Sequence, residues 1–152
     1  HRLIRRQRQM CIRDRDKELP VAPSAIGNYV TYKKVGNYIY TSGHVPFTDK
    51  KKFQGKIPSE VSMEDGYEAA SLCAELTIST LLANGEIKNL QPVNVLGFVN
   101  ADNGFQDHAK VLNGFTDKLA EYFDKKSTRS AVGVASLPLN ASVEVQCIFV
   151  YE

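Results

Sequence analysis

The stretch R-S-A-V-G-V-A-S-L-P-L-N-A-S-V-E-V, residues 129–145, decides the fold of this chain. Valines alternating with small residues over 130–135 predict a strand, and the β-rich run S-V-E-V-Q-C-I-F-V-Y over 142–151 predicts another. Between them, L-P-L-N at 137–140 has the composition of a turn. We therefore expect a pair of strands joined through this turn.

Arg129 opens this stretch and is the only arginine after position 15, where twelve lysines supply the other positive charges. Its guanidinium is a rigid fork that can grip a carboxylate through two parallel hydrogen bonds, which a lysine cannot do. Two interpretations follow: a structural ion pair near a strand start, or an anchor for the carboxylate of a small substrate. The surrounding sequence favours the substrate anchor.

Outward from this stretch, alternating helix and strand patterns predict an α+β chain. Ser62 predicts the N-cap of a helix that ends at Asn84 and Gly85, and Asp107 leads a second helix. Each helix carries one apolar stripe: Tyr67, Ala70, Ala74, Ile78 and Leu81 in the first, and Val111, Leu112, Phe115, Leu119 and Tyr122 in the second. Further β-rich runs predict strands at 28–34, 37–42, 53–57 and 93–99, the last directly after Pro92.

Two helices can cover only one face of such a sheet, yet two of the predicted strands, 93–99 and 142–151, are apolar on both faces. In the second of them the two faces carry Val143, Val145, Cys147 and Phe149 on one side and Ile148 and Val150 on the other. A strand that is apolar on both faces must be buried on both. We therefore predict a homo-oligomer whose sheets pack together, with polar side chains near an interface or a cleft: Asn94, Asn100, Glu144 and Gln146.

The first fifteen residues contain six arginines and one aspartate and lack the apolar core of a signal peptide. A nucleic-acid arm or a transit peptide are possible interpretations, but we predict a non-native or disordered extension produced by a sequencing artefact. The rest, 16–152, is predicted to form a single domain. It holds 13 basic and 16 acidic side chains, a net charge of −3, which argues against a nucleic-acid partner.

Other classes of function find no support in the sequence. No apolar run approaches the ~20 residues that span a membrane. The chain has no clustered metal ligands and no phosphate-binding or dinucleotide-binding motif. Without such ligands or motifs, we expect a protein that uses no metal or cofactor. The isolated Cys73 and Cys147 are typical of a reducing compartment, so we expect the protein to be cytoplasmic.

Three segments together carry a family resemblance: I-G-N-Y-V (26–30), Y-I-Y-T-S-G-H-V-P (38–46) and the stretch 129–145. They resemble the RidA family, also called YjgF or endoribonuclease L-PSP proteins, and most closely its YjgF/chorismate-mutase-like subgroup. The resemblance implies a chorismate-mutase-like α+β fold, a mixed sheet with two helices on one face. It also implies a homotrimer whose three sheets form a central barrel, with ligand clefts between subunits. The activity implied is hydrolysis of 2-enamine or 2-imine acids to 2-keto acids and ammonia without a cofactor.

The resemblance also implies site residues. Arg129 matches the arginine that pairs with the substrate carboxylate, and Tyr29 matches the cleft tyrosine. Ser42 and Gly43 match strand-end residues that line the pocket, and Asn113 matches an asparagine of the second helix.

Two positions depart from the family pattern. Ala131 replaces a frequent cysteine, although its backbone N–H can still hold a ligand. Gln146 stands where deaminases have a glutamate that handles water, and an amide can orient water but cannot accept its proton. Three functions therefore remain open: an imine deaminase, a non-catalytic binder of small carboxylates or keto acids, and, least supported, an RNA-cleaving or translation-inhibiting protein.

Three other polar residues are assigned structural roles. We expect His44, which replaces the family's usual glutamine, and His108 to be solvated or capping histidines. Glu144 is expected to pair with a lysine.

Overall fold

The computed structural model describes residues 19–152, so the predicted N-terminal extension lies outside the described residues. The described chain contains five strands, two α-helices and one 3₁₀ turn. In chain order these are β1 (Tyr32–Val35), β2 (Tyr38–Thr41), α1 (Met63–Ala83), β3 (Leu90–Asn100), α2 (His108–Tyr122), β4 (Thr128–Val134), the 3₁₀ turn (Pro138–Asn140) and β5 (Val143–Tyr151).

The five strands form one mixed sheet in the order β1-β2-β5-β3-β4. Strand β3 pairs parallel with β4 and antiparallel with β5. The prediction that β4 and β5 form a pair is therefore wrong, because β3 lies between them. The turn at 137–140 instead carries the chain across the end of β3, and Asn100, the last residue of β3, bonds to it.

Both predicted helices are confirmed, and their ends follow local chemistry. The Ser62 hydroxyl accepts a hydrogen bond from the Asp65 N–H (3.1 Å), which satisfies one free donor of the first turn of α1. At the other end, Gly85 adopts the left-handed conformation that glycine favours (φ 70°) and ends α1. The helices pack closely at Gly114, where any Cβ would collide with the backbone carbonyl of Tyr67.

The core lies between the helices and one face of the sheet, as the apolar patterns predict. The fully buried strand residues on this face are Ile39, Val95, Val99, Val143, Val145, Cys147 and Phe149. Helices α1 and α2 cover them with Ala70, Ala74, Ile78, Leu81, Val111, Leu112 and Phe115. Burial of this apolar surface is the main force that holds the helices on the sheet. Neither helix of the described chain is long and apolar enough to cross a membrane.

Several predicted boundaries are wrong. Residues 28–31 form a loop and β1 begins only at Tyr32. The predicted strand 53–57 is reduced to two isolated bridges, Gln54 with Ala141 and Ile57 with Ala101, so no neighbour pairs with the whole run. Strand β3 begins before Pro92, and its register with β5 shifts between Pro92 and Asn94, the kind of irregularity that tolerates a proline without an N–H.

The opposite face of the sheet carries no helix. Tyr38, Tyr40 and Val132 are 45%, 42% and 45% exposed there. Neighbouring apolar side chains on this face are half-buried: Leu96, Phe98, Ile148 and Val150. The two-faced strands predicted from the sequence are thus present, and we call this helix-free surface the open face.

Not every polar residue predicted near an interface or cleft is available there. Asn100 is buried, and its side-chain N–H donates to the Ala141 carbonyl at 3.1 Å and to Asn140 at 3.3 Å. This corrects the prediction for Asn100, which fastens β3 to the segment that follows the 3₁₀ turn. Asn94 donates to the Thr128 hydroxyl at 2.8 Å and links β3 to β4.

Candidate functional site

Arg129 lies near the start of β4 beside Val95, a residue of the helix-covered face. Its Nη1 donates to the Asn113 Oδ1 at 2.9 Å and to the Thr116 hydroxyl at 3.2 Å. Asn113 and Thr116 are three residues apart on α2, the spacing that places both on one helix face. The structure thus brings Arg129 and Asn113 together and adds Thr116, which the sequence analysis missed.

No carboxylate of residues 19–152 lies within ion-pair distance of the Arg129 guanidinium. The interpretation of Arg129 as a structural ion pair is therefore not supported within the described chain. Two neutral oxygen acceptors fix Nη1, which leaves the remaining N–H groups of the fork for a ligand.

A cleft of about 360 Å³ lies beside Arg129, between the end of α2 and the start of β4. Thr116, Leu119, Phe123 and Lys126 contribute to its walls. The volume lies within the range of small-molecule sites, about 300–1,000 Å³. Arg129 thus stands at a space of small-molecule size, whose walls also include the acidic residues Asp117 and Asp124.

A second group of predicted site residues lies at the end of β2. The Ser42 N–H donates to the Thr31 carbonyl at 2.8 Å, and the Ser42 hydroxyl donates to the Val30 carbonyl at 2.6 Å. These bonds hold the strand end against the loop that carries Tyr29, whose side chain is 49% exposed. Ser42 and Gly43 therefore lie beside the loop that carries Tyr29, whose hydroxyl accepts from the Ile26 N–H at 3.4 Å.

Glu144 lies beside this group. It alternates with the buried Val143 and Val145 and so projects to the open face, where a Cβ on Gly43 would collide with its carboxylate. Only a glycine therefore allows the carboxylate to approach the strand end this closely. The pairing with a lysine that the sequence predicts is wrong for the described chain, where Glu144 forms no ion pair. Burial without a partner raises the pKa of the Glu144 carboxyl above its usual value.

Gln146 and Ala131, two residues that depart from the family pattern, lie on β5 and β4, on either side of β3. Gln146 follows Glu144 on the same face of β5, one pleat further along, and is half-buried opposite Leu96. Ala131 lies in β4 opposite Gly97 and is half-buried. Of the two β5 side chains, the carboxylate of Glu144 is the one that lies against Gly43.

Within one chain the two groups remain apart. Arg129 lies on edge strand β4, whereas Ser42 and Gly43 follow β2, and both β5 and β3 lie between these strands. At about 4.8 Å per strand, the separation is roughly 14 Å. Arg129 also faces the helices while Glu144 faces away from them. The structure therefore forms two half-sites, Arg129–Asn113 and Tyr29–Ser42–Gly43–Glu144, on different parts of the surface.

His44 is not the solvated or capping histidine that the sequence predicts. It is only 4% exposed, and its ring lies between the Ser42 carbonyl (3.1 Å from Nδ1) and the Thr80 hydroxyl (3.0 Å from Nε2). Burial lowers the pKa of His44 to about 4, although the hydrogen bond to Ser42 opposes the shift. The periodic pattern of α1 gave no signal for Thr80 as a partner. His108 begins α2 half-buried, with its ring 5.1 Å from that of Phe105.

In residues 19–152, no three His, Cys, Asp or Glu side chains group together in a way that could hold a metal ion. Both described cysteines, Cys73 and Cys147, are buried free thiols. Burial raises the pKa of each thiol, so neither is a reactive thiolate at neutral pH.

Comparison with known proteins places the chain among relatives along nearly its whole length. A family model described as YjgF/chorismate-mutase-like matches residues 11–151. The crystal structure of Atu1372 from Agrobacterium tumefaciens, a protein of unknown function, has a TM-score of 0.85 at 32% identity and covers 99% of both chains. The mitochondrial protein MMF1 of Saccharomyces cerevisiae is 34% identical over 86% of this chain and 79% of its own length.

A third relative carries a functional name and a bound ligand. Escherichia coli TdcF, named as a candidate reactive intermediate deaminase, is 30% identical over 85% of this chain and 91% of its own length. Its crystal structure with bound serine has a TM-score of 0.64 at 28% identity and covers 86% of this chain and 94% of that one. This chain is similar to a protein that holds a small amino acid.

Proposed function

The chain belongs to the RidA (YjgF/chorismate-mutase-like) family, and on that premise we propose that it hydrolyses 2-enamine and 2-imine acids to 2-keto acids and ammonia. The observation that carries this proposal is the partly unoccupied guanidinium of Arg129. Helix α2 holds its guanidinium through one nitrogen, and no carboxylate of residues 19–152 occupies the rest of the fork. A bound 2-imino acid presents the carboxylate that this fork fits.

Glu144 takes the role of general base in this proposal, and Gln146 orients water or substrate beside it. Water adds to C2 of the imine while Glu144 takes its proton and passes that proton to the imine nitrogen, which gives a carbinolamine. Glu144 then transfers the hydroxyl proton of the carbinolamine to the amino group, the C–N bond breaks, ammonia leaves, and C2 becomes a ketone. The raised pKa of Glu144 favours this role, because a base works best when its pKa lies near the working pH.

The two half-sites are separate in one chain, so we propose that they meet across an interface between copies. A homotrimer whose open faces form a central barrel would cover the exposed Tyr38, Tyr40 and Val132. Burying these side chains supplies the hydrophobic driving force for association. In this arrangement Arg129 and Asn113 of one subunit face Tyr29, Ser42, Gly43 and Glu144 of another.

The alternative is a non-catalytic binder of small carboxylates or keto acids, favoured by the amide at Gln146. The unpaired Glu144 carboxylate against Gly43 favours the enzyme over the binder. A function in RNA cleavage has the least support, because the chain after residue 15 is acidic overall and Arg129 is its only arginine. We place the protein in the cytoplasm, and its free buried cysteines support a reducing compartment.

Hydrolysis of imino acids generated in situ tests the proposal. We expect the wild-type chain to release ammonia and keto acid faster than the uncatalysed rate. Glu144→Gln should slow turnover by roughly 10²–10⁴, the usual effect of losing a general base, while leaving keto-acid binding intact.

Two outcomes contradict parts of this proposal. A wild-type rate equal to the uncatalysed rate, combined with tight keto-acid binding, would favour the binder. Full activity of Glu144→Gln would remove Glu144 from the mechanism and leave the deaminase itself standing.

A further inference from the structure

His44 lies directly behind the Ser42–Gly43 peptide and connects it to helix α1. Its backbone is fixed to β5, since the His44 N–H donates to the Val145 carbonyl at 2.9 Å and the Val145 N–H donates back at 3.1 Å. Its ring reaches the Thr80 hydroxyl of α1 on one side and the Ser42 carbonyl on the other. Within the described chain, the hydrogen bonds of the imidazole therefore link the strand end to α1.

The chemistry of the partners assigns the ring protons. The Ser42 carbonyl can only accept, so Nδ1 carries the hydrogen and donates to it. In the neutral ring Nε2 then has a lone pair and accepts from the Thr80 hydroxyl. The same hydroxyl also lies 3.0 Å from the Leu76 carbonyl, so its single hydrogen is shared between two acceptors, Nε2 of His44 and this carbonyl.

These contacts fix the orientation of the Ser42–Gly43 peptide. The C=O and N–H of a trans peptide point in opposite directions. Because His44 holds the Ser42 carbonyl toward the buried interior, the Gly43 N–H points away from it. Among residues 19–152 no acceptor bonds to this N–H, and Gly43 is exposed beside the Glu144 carboxylate.

We propose that His44 and Thr80 are positioning residues, which hold the Ser42–Gly43 peptide and its free N–H in place beside Glu144. Neither side chain touches substrate; each acts through Ser42. This inference rests on the proposed function, because the strand end matters for catalysis only if it lines the deaminase site.

The chain provides a matched pair of variants for the test. Thr77 and Thr80 are both buried on α1, and each hydroxyl lies within hydrogen-bond distance of the carbonyl four residues earlier, at 2.8 Å and 3.0 Å. Only Thr80 also contacts His44. Thr80→Val and Thr77→Val therefore remove the same kind of intrahelical bond, and only the first removes the partner of the imidazole.

Kinetics on 2-iminobutanoate generated in situ is the first measurement. We expect Thr80→Val and His44→Leu to lower kcat about tenfold and to leave KM within about twofold, because Arg129 still holds the carboxylate. His44→Gln should keep kcat within about threefold of wild type, since an amide offers both a donor and an acceptor. Thr77→Val should match wild-type kcat at a similar Tm.

Amide NMR of Gly43 is the second measurement and does not depend on activity. We expect Thr80→Val to shift the Gly43 amide resonance, whereas Thr77→Val leaves it unchanged. Equal effects of the two threonine variants in either measurement, or failure of His44→Gln to rescue kcat, would overturn the positioning role. A wild-type protein with no activity would refute the proposed function, and the Gly43 amide would still decide whether His44 and Thr80 hold the peptide.

Discussion

Acid should destabilise this protein through His44, and the structure supplies the magnitude. The imidazole is buried and its pKa is lowered from 6.5 to about 4. Because protonation is harder in the folded state, the stability that His44 contributes is complete above pH 6.5 and is lost as the pH falls toward 4. Integrating over these two pKa values gives a loss of about 2.5 kcal/mol in the free energy of unfolding between pH ~7.5 and ~4.5.

The assay is urea unfolding of wild type and His44→Gln at both pH values, with protein concentration held constant. Glutamine does not titrate, and the carboxylates are common to both proteins, so their contributions cancel in the difference. We expect wild type to lose about 2.5 kcal/mol more than the variant on acidification. A difference below about 0.5 kcal/mol, the usual error of such comparisons, would show that the folded chain does not hold His44 neutral.

Three substitutions or truncations address the site and the assembly. Arg129→Ala should weaken the binding free energy of a keto acid by about 1.5–3 kcal/mol. Arg129→Lys should weaken it almost as much, since a point charge cannot replace the fork of the guanidinium. Unchanged affinity of both variants in calorimetry would remove the anchor role. Gln146→Glu should lower keto-acid affinity and leave turnover no higher, because it adds a second negative charge on the face that carries Glu144; a faster enzyme would assign the base role to position 146. Removing residues 1–15 should leave folding and oligomerisation unchanged, and sedimentation of the truncated chain as a monomer would contradict both this and the trimer.

The half-sites show where sequence-based prediction succeeded and where it could not. Arg129 was identified from composition alone, and Asn113 from its place in a family pattern; the structure then put them in contact. Glu144 was assigned a lysine partner because its sequence neighbourhood shows only alternation with valines. Its approach to Gly43 depends on how β2 and β5 meet, a contact between distant parts of the chain that no local pattern reports.

His44 was misjudged for a related reason. A histidine in a polar turn motif is expected in water, and its burial arises from the packing of α1 over the strand end, where Thr80 meets its ring. Two hydrogen bonds compensate for removing the imidazole from solvent. Thr80, which lies 36 residues away, is not predictable as a partner from residues 38–46.

The sequence by itself determined the elements and their buried faces. Helix caps such as Ser62 and apolar stripes at helical or strand spacing are local properties, because they depend on side chains within a few residues of each other. The tertiary structure alone decided the strand order, with β3 between β4 and β5, and the division of the site residues between two surfaces. Both depend on which distant strands pair, and pairing is selected by burial of the whole core rather than by any segment of it.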